Sequence, residues 1–197
     1  MKKLLTLLSL ALAVLLAGCG DKPPAPKLEF SNTDLTGLDY ARDFALTDHH
    51  GKARTLADFK GKLVLMFFGY TQCPDVCPTT MAEMAAVLKE LGPQGDQVQV
   101  LFVTVDPERD TQALLAQYVP AFDPRFLGLY GDAAATAKVA KEFKVFYAKV
   151  PGKTAASYTV DHTAGTYVFD RAGKIRLFLR NGQGSAPIVH DLKLLLS

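Results

Sequence analysis

Residues 61–80 read GKLVLMFFGYTQCPDVCPTT, and the order of features in this stretch decides the fold. Gly61 to Phe68 is an almost unbroken apolar run bounded by glycines. It is too short for a helix, as expected of a strand buried on both faces. Beyond the cysteines, Met81, Met84, Ala85 and Leu88 recur at helical spacing until Gly92-Pro93 stops them, so the segment is strand, cysteine-bearing loop, amphipathic helix.

Working outward, the alternation repeats. VQVLFVTV (98–105) is a second buried strand, followed by a helix from about Asp110 to Val119 ended by Pro120 and another from Asp132 to Phe143. TYVFD and KIRLFL flank Arg171-Ala172-Gly173 as a hairpin, and Ile188, Leu192, Leu195 and Leu196 give a last helix its apolar face. An earlier hairpin is expected in FALTDHHGKARTL (44–56), where Asp48 to Gly51 supply the turn. The sum is an α/β chain in thioredoxin-like order: a central mixed sheet flanked by helices, with an N-terminal hairpin. There is no internal repeat and no sign of a second domain.

The N-terminus differs from the rest. Lys2 and Lys3 precede an apolar run from Leu4 to Leu16, and small residues lie just before Cys19, a pattern that reads as a secretory signal over residues 1–18. LAGC resembles a bacterial lipobox, which implies that Cys19 carries the lipid and becomes the mature N-terminus. GDKPPAPKLEFSN, with three prolines, then reads as part of a tether over 19–34, leaving a domain over 35–197. These features predict a protein of the bacterial cell envelope, lipid-anchored and facing the periplasm or the exterior. The formal charge of +2 falls to zero once Lys2 and Lys3 leave with the signal. A neutral domain without a dense basic run offers nucleic acid no electrostatic footprint.

With Cys19 in the lipid, Cys73 and Cys77 are the remaining thiols. At the entrance to a helix, unpaired amides and the dipole favour thiolates, which serve equally as nucleophiles and as metal ligands. The three intervening residues make a wider loop than the two typical of a dithiol oxidoreductase and leave room for an ion, although a disulfide remains geometrically open. A metal would need a third ligand. His190 falls on the polar face of the last helix, and His49 and His50 read as exposed turn residues. His162 directly precedes a hairpin strand, with Asp161 and Thr163 able to fix its tautomer and Gly165 able to bend the chain sharply. Asp75 is placed to cap the helix. Asp106, at the end of the second core strand, is placed either to cap the Pro107-Glu108 turn or to support a metal site from behind its ligands.

GYTQCPDVCPTT, VLFVTVDPERDT and YTVDHTAGTYVFD, in that order and spacing behind a tether, resemble the Sco (SenC) family of membrane-anchored copper proteins over roughly residues 35–197. The resemblance implies a thioredoxin-like fold and one copper, Cu(I) or Cu(II), held by Cys73, Cys77 and His162. It also implies a part in maturing the dinuclear copper (CuA) centre of cytochrome c oxidase. Ala164 and Gly165 depart from the small polar residue expected after the histidine. Two thiolates and an imidazole are a soft set suited to Cu(I), whereas structural zinc usually closes with four protein ligands. The expected partners are the copper domain of oxidase subunit II, the membrane, and an upstream copper donor or thiol reductant. Copper delivery and reduction of the target's cysteines both use Cys73 and Cys77. The competing reading is a thiol–disulfide oxidoreductase or peroxide reductase, and a purely structural lipoprotein would leave the dithiol without a role.

Overall fold

A computed structural model describes residues 28–154 and 157–197. The signal over 1–18, Cys19 and the first part of the tether lie outside the described residues. The chain runs through β1 (Thr33–Asp34), β2 (Leu46–Asp48), β3 (Ala53–Arg54), β4 (Leu63–Gly69), α1 (Val76–Leu91), β5 (Val98–Thr104) and α2 (Gln112–Tyr118). It continues through β6 (Leu127–Tyr130), α3 (Ala133–Glu142), β7 (Tyr147–Pro151), β8 (Tyr158–His162), β9 (Thr166–Phe169), β10 (Ile175–Leu179) and α4 (Ser185–Leu196).

Among the described residues, eight strands form one mixed sheet in the order β1-β10-β9-β4-β5-β6-β2-β3. β4 lies at its centre, parallel to β5 and antiparallel to β9. Every residue of β4 is buried, which is why it reads as a continuous apolar run instead of alternating. The expected hairpins are present as β2–β3 and β9–β10, and α1 packs against α4. Among the described residues, β7 and β8 pair only with each other, as a separate two-stranded sheet.

The last residues of the expected tether dock onto the domain. The Ser31 and Asn32 amides donate to the buried Asp191 carboxylate at 2.8 and 2.9 Å, and β1 adds to the edge of the sheet beside β10. No described helix is long and apolar enough to cross a membrane.

Candidate metal centre

The cysteine loop leaves the end of β4 and enters α1. Cys77 is the second residue of that helix and Pro78 the third, where a missing N–H is tolerated. Asp75 occupies the N-cap position without a side-chain capping bond; its carbonyl instead accepts from the Thr79 amide and hydroxyl. Cys77 is fully buried. Its sulfur sits against Gly69, where a Cβ would approach to 2.8 Å, so the glycine ending β4 makes the space that the thiol fills.

The turn before Cys73 is pinned by Asp110, a buried carboxylate. It accepts from the Thr71 amide at 3.0 Å and from the Thr71 and Thr104 hydroxyls, each at 2.6 Å. Burial holds the Asp110 carboxyl above its ordinary range, against the lowering effect of those hydroxyls. Composition and spacing give no sign of this role, because Thr71 and Asp110 lie 39 residues apart.

His162 comes from another element. It was expected in a loop before the β9 strand, but it is the last residue of β8, paired with Tyr147 of β7. Its Nδ1 faces the Thr163 carbonyl at 3.1 Å. That oxygen can only accept, so the proton resides on Nδ1 and the lone pair on Nε2. Nε2 lies 3.4 Å from the Cys77 sulfur. The ring stands near-perpendicular to Phe67 and Tyr70, with centroids 5.9 Å away in both cases. Burial lowers the His162 pKa, more than the Thr163 carbonyl and Asp161 raise it, and favours the neutral imidazole. Gly165 serves a different purpose from the expected bend: a Cβ there would come within 2.0 Å of the Phe178 ring.

One donor atom from each of Cys73, Cys77 and His162 lies within 4.8 Å of the others. Donors bound to one ion at about 2.0–2.3 Å are separated by up to about 4.5 Å, so the set could hold one ion with small adjustments. A cleft of about 370 Å³, walled by Cys73–Val76 and by Thr159–His162, opens beside it. Both thiols are free. The expectation that helix entry would lower both thiol pKa values is corrected for Cys77: burial pushes this thiol far up, and a hydrogen bond from the Tyr70 backbone offsets only part of the effect.

The other sequence candidates lie outside this donor set. Asp106 is buried, and its carbonyl closes the following turn by accepting from the Arg109 and Asp110 amides. Its carboxylate pairs with Arg109 and accepts from the Tyr158 hydroxyl at 2.8 Å. His49 is corrected from exposed to buried. Its Nδ1 accepts from the Gly128 amide at 2.9 Å, tying β2 to β6, and burial followed by the neighbouring His50 lowers its pKa. His50 and His190 are exposed, as expected.

The SCO1/SenC family model matches residues 32–197. The mitochondrial SCO2 homolog of Bos taurus is 44% identical over 153 residues, covering 77% of this chain and 58% of that protein. This chain thus spans well under two thirds of that relative's length. ScoI of Bradyrhizobium japonicum, solved with copper bound, is 45% identical with a TM-score of 0.72, covering 78% of this chain and 97% of that one. Apo Sco1 of Thermus thermophilus, solved in solution, is 40% identical with a TM-score of 0.76, covering 87% of this chain and 99% of that one.

Proposed function

The chain belongs to the SCO1/SenC family, and from that membership we propose that it carries one copper on Cys73, Cys77 and His162 and helps to mature the CuA centre of cytochrome c oxidase. The observation that carries this reading is the convergence of two sulfurs and one imidazole nitrogen from β8 and the α1 entrance. Copper is bound in the Bradyrhizobium japonicum relative, and two sulfurs with an imidazole form a soft donor set that suits Cu(I). The ion is cargo. The protein's own work is to present the two sulfurs, keep the Nε2 lone pair free through the Thr163 carbonyl, and leave a cleft through which a partner reaches the site.

The partner is the copper domain of oxidase subunit II, served by ion delivery, by reduction of its cysteines, or by both. An upstream copper donor or thiol reductant would recharge the site. The domain over 35–197 is held at a bacterial membrane through Cys19 after removal of residues 1–18, a reading supported by the LAGC sequence and the proline-bearing stretch behind it. The test is a strain whose only copy carries His162→Ala. Copper coordination needs the imidazole, whereas disulfide exchange between Cys73 and Cys77 does not, so the oxidase should lack CuA copper. Full copper content would overturn metal handling and favour the thiol-reductase reading.

A further inference from the structure

The two cysteines belong to the loop between β4 and α1, but His162 belongs to the β7–β8 hairpin, which forms its own sheet. Backbone pairing within the eight-stranded sheet resumes only at Thr166, opposite Phe67 and four residues beyond His162, so it does not by itself fix the distance between the sulfurs and the imidazole. Side chains also bridge the gap, and Arg109 reaches both sides. Its Nε pairs with the fully buried Asp106 carboxylate. Its Nη1 donates to Gln72 Oε1 at 3.2 Å, next to Cys73, and to the Tyr158 carbonyl at 2.9 Å, at the start of β8.

The guanidinium carbon also lies 3.6 Å from the centroid of the Tyr158 ring and 5.6 Å from that of Tyr70. The Tyr158 hydroxyl returns to Asp106 at 2.8 Å and closes the network. Among the described residues, Nη2 is buried without a hydrogen-bond partner, an arrangement that costs stability and sets this arginine apart from one serving only as a surface ion pair.

We propose that Arg109 is a positioning residue that sets the separation between the Cys73–Cys77 loop and His162. A planar fork is needed for this, because one group must pair with Asp106, donate to both sides of the gap and stack on Tyr158 at once. A lysine ammonium could keep the ion pair but could not reproduce the fork or the stacking. The inference rests on the reading that Cys73, Cys77 and His162 hold copper.

The test compares the purified full-length protein with its Arg109→Lys, Arg109→Ala and Glu108→Gln variants. Cu(I) affinity is measured by chelator competition, the Cu(II)–thiolate absorption by spectroscopy, and folding by thermal unfolding. Arg109→Lys keeps a cation beside Asp106 and should unfold cooperatively, yet bind Cu(I) at least ~10-fold more weakly, the lower end of what loss of a residue supporting metal ligands costs. It should also show a shifted thiolate band. Arg109→Ala should lose at least as much affinity. Glu108→Gln removes a neighbouring contact to the hairpin, the exposed ion pair with Lys149, and should match wild type in affinity and spectrum. Wild-type affinity and spectrum in Arg109→Lys would overturn the proposal. So would failure of Arg109→Lys to fold, which would assign the guanidinium to the stability of the whole domain. Failure of the wild-type protein to bind copper would instead refute the copper reading.

Discussion

The Nε2 of His162 lies 3.4 Å from the sulfur of Cys77, 85 residues earlier in the chain. The first prediction follows from that contact. Cys73→Ala, Cys77→Ala and His162→Ala should each lower copper affinity by more than ~100-fold, the upper end of what loss of a residue merely supporting the ligands costs. Chelator competition on the purified protein measures the change. Wild-type affinity in His162→Ala would remove this residue from the ligand set.

The second prediction concerns competition for the sulfurs. Copper needs both thiolates, whereas a Cys73–Cys77 disulfide offers neither. Oxidation should abolish copper binding and reduction should restore it. The His162→Ala protein should still form and reopen the disulfide. Copper retained at full affinity by the oxidised protein would show that the ion binds elsewhere.

The third prediction isolates the seat of Cys77. A methyl group at Gly69 would lie 2.8 Å from the Cys77 sulfur and 2.8 Å from the Phe67 ring. Overpacking of this kind typically costs about 1–3 kcal/mol. Gly69→Ala should lower stability by that amount in denaturant titrations and displace the thiol, altering the copper–thiolate absorption. An unchanged spectrum with unchanged stability would mean that the neighbouring rings yield without strain.

What the sequence revealed, and what it hid, follows from the range of the interactions involved. β4, its loop and α1 were legible because burial on both faces leaves a continuous apolar run and a helix leaves a periodic stripe, both readable locally. The pair of thiols and His162 stood out by residue type, and their grouping followed from the family resemblance. The β7–β8 hairpin was missed. Its strands bury little beyond Val160 and so lack the alternation that marks a half-buried strand. His49 read as exposed because the Gly128 amide that its ring accepts from lies 79 residues away. Arg109 was not singled out and Asp110 was read only as the start of a helix for the same reason, since their partners Tyr158 and Thr71 lie 49 and 39 positions away.

The fourth prediction concerns pH. Asp191 is fully buried. Burial raises its carboxyl pKa, but the Ser31 amide, the His190 ring and the Asn32 side chain and amide outweigh that effect, so the folded value lies below the ordinary one. The unfolded value is about 3.9, so the folded state binds this proton less tightly than the unfolded chain. The stability it contributes is fully present above about pH 5 and is lost as the pH falls through the lowered folded value. Asp191→Asn should cost about 2 kcal/mol near neutrality and flatten the acid limb of a stability–pH profile. A variant profile parallel to wild type below pH 5 would assign acid sensitivity to other carboxylates, such as Asp48, whose pKa is also lowered.

The last prediction separates charge from hydrogen bonding at Asp110. Its carboxylate accepts from the Thr71 amide and hydroxyl and from the Thr104 hydroxyl. Asp110→Ala would leave three donors without that acceptor, and each buried polar group left unpaired costs about 1–3 kcal/mol. Asp110→Asn keeps one acceptor oxygen but brings an amide group that can only donate, so some of the contacts are lost. Burial already disfavours the ionised form of Asp110, which makes loss of the charge a smaller penalty than loss of the acceptors. Asp110→Ala should therefore lower stability by at least about 2 kcal/mol and weaken copper binding through a loosened Thr71–Cys73 turn, with Asp110→Asn falling between it and wild type. Denaturant titration and chelator competition on both variants decide the point. Equal damage from Asn and Ala would show that the negative charge, and not the set of acceptors, holds the loop.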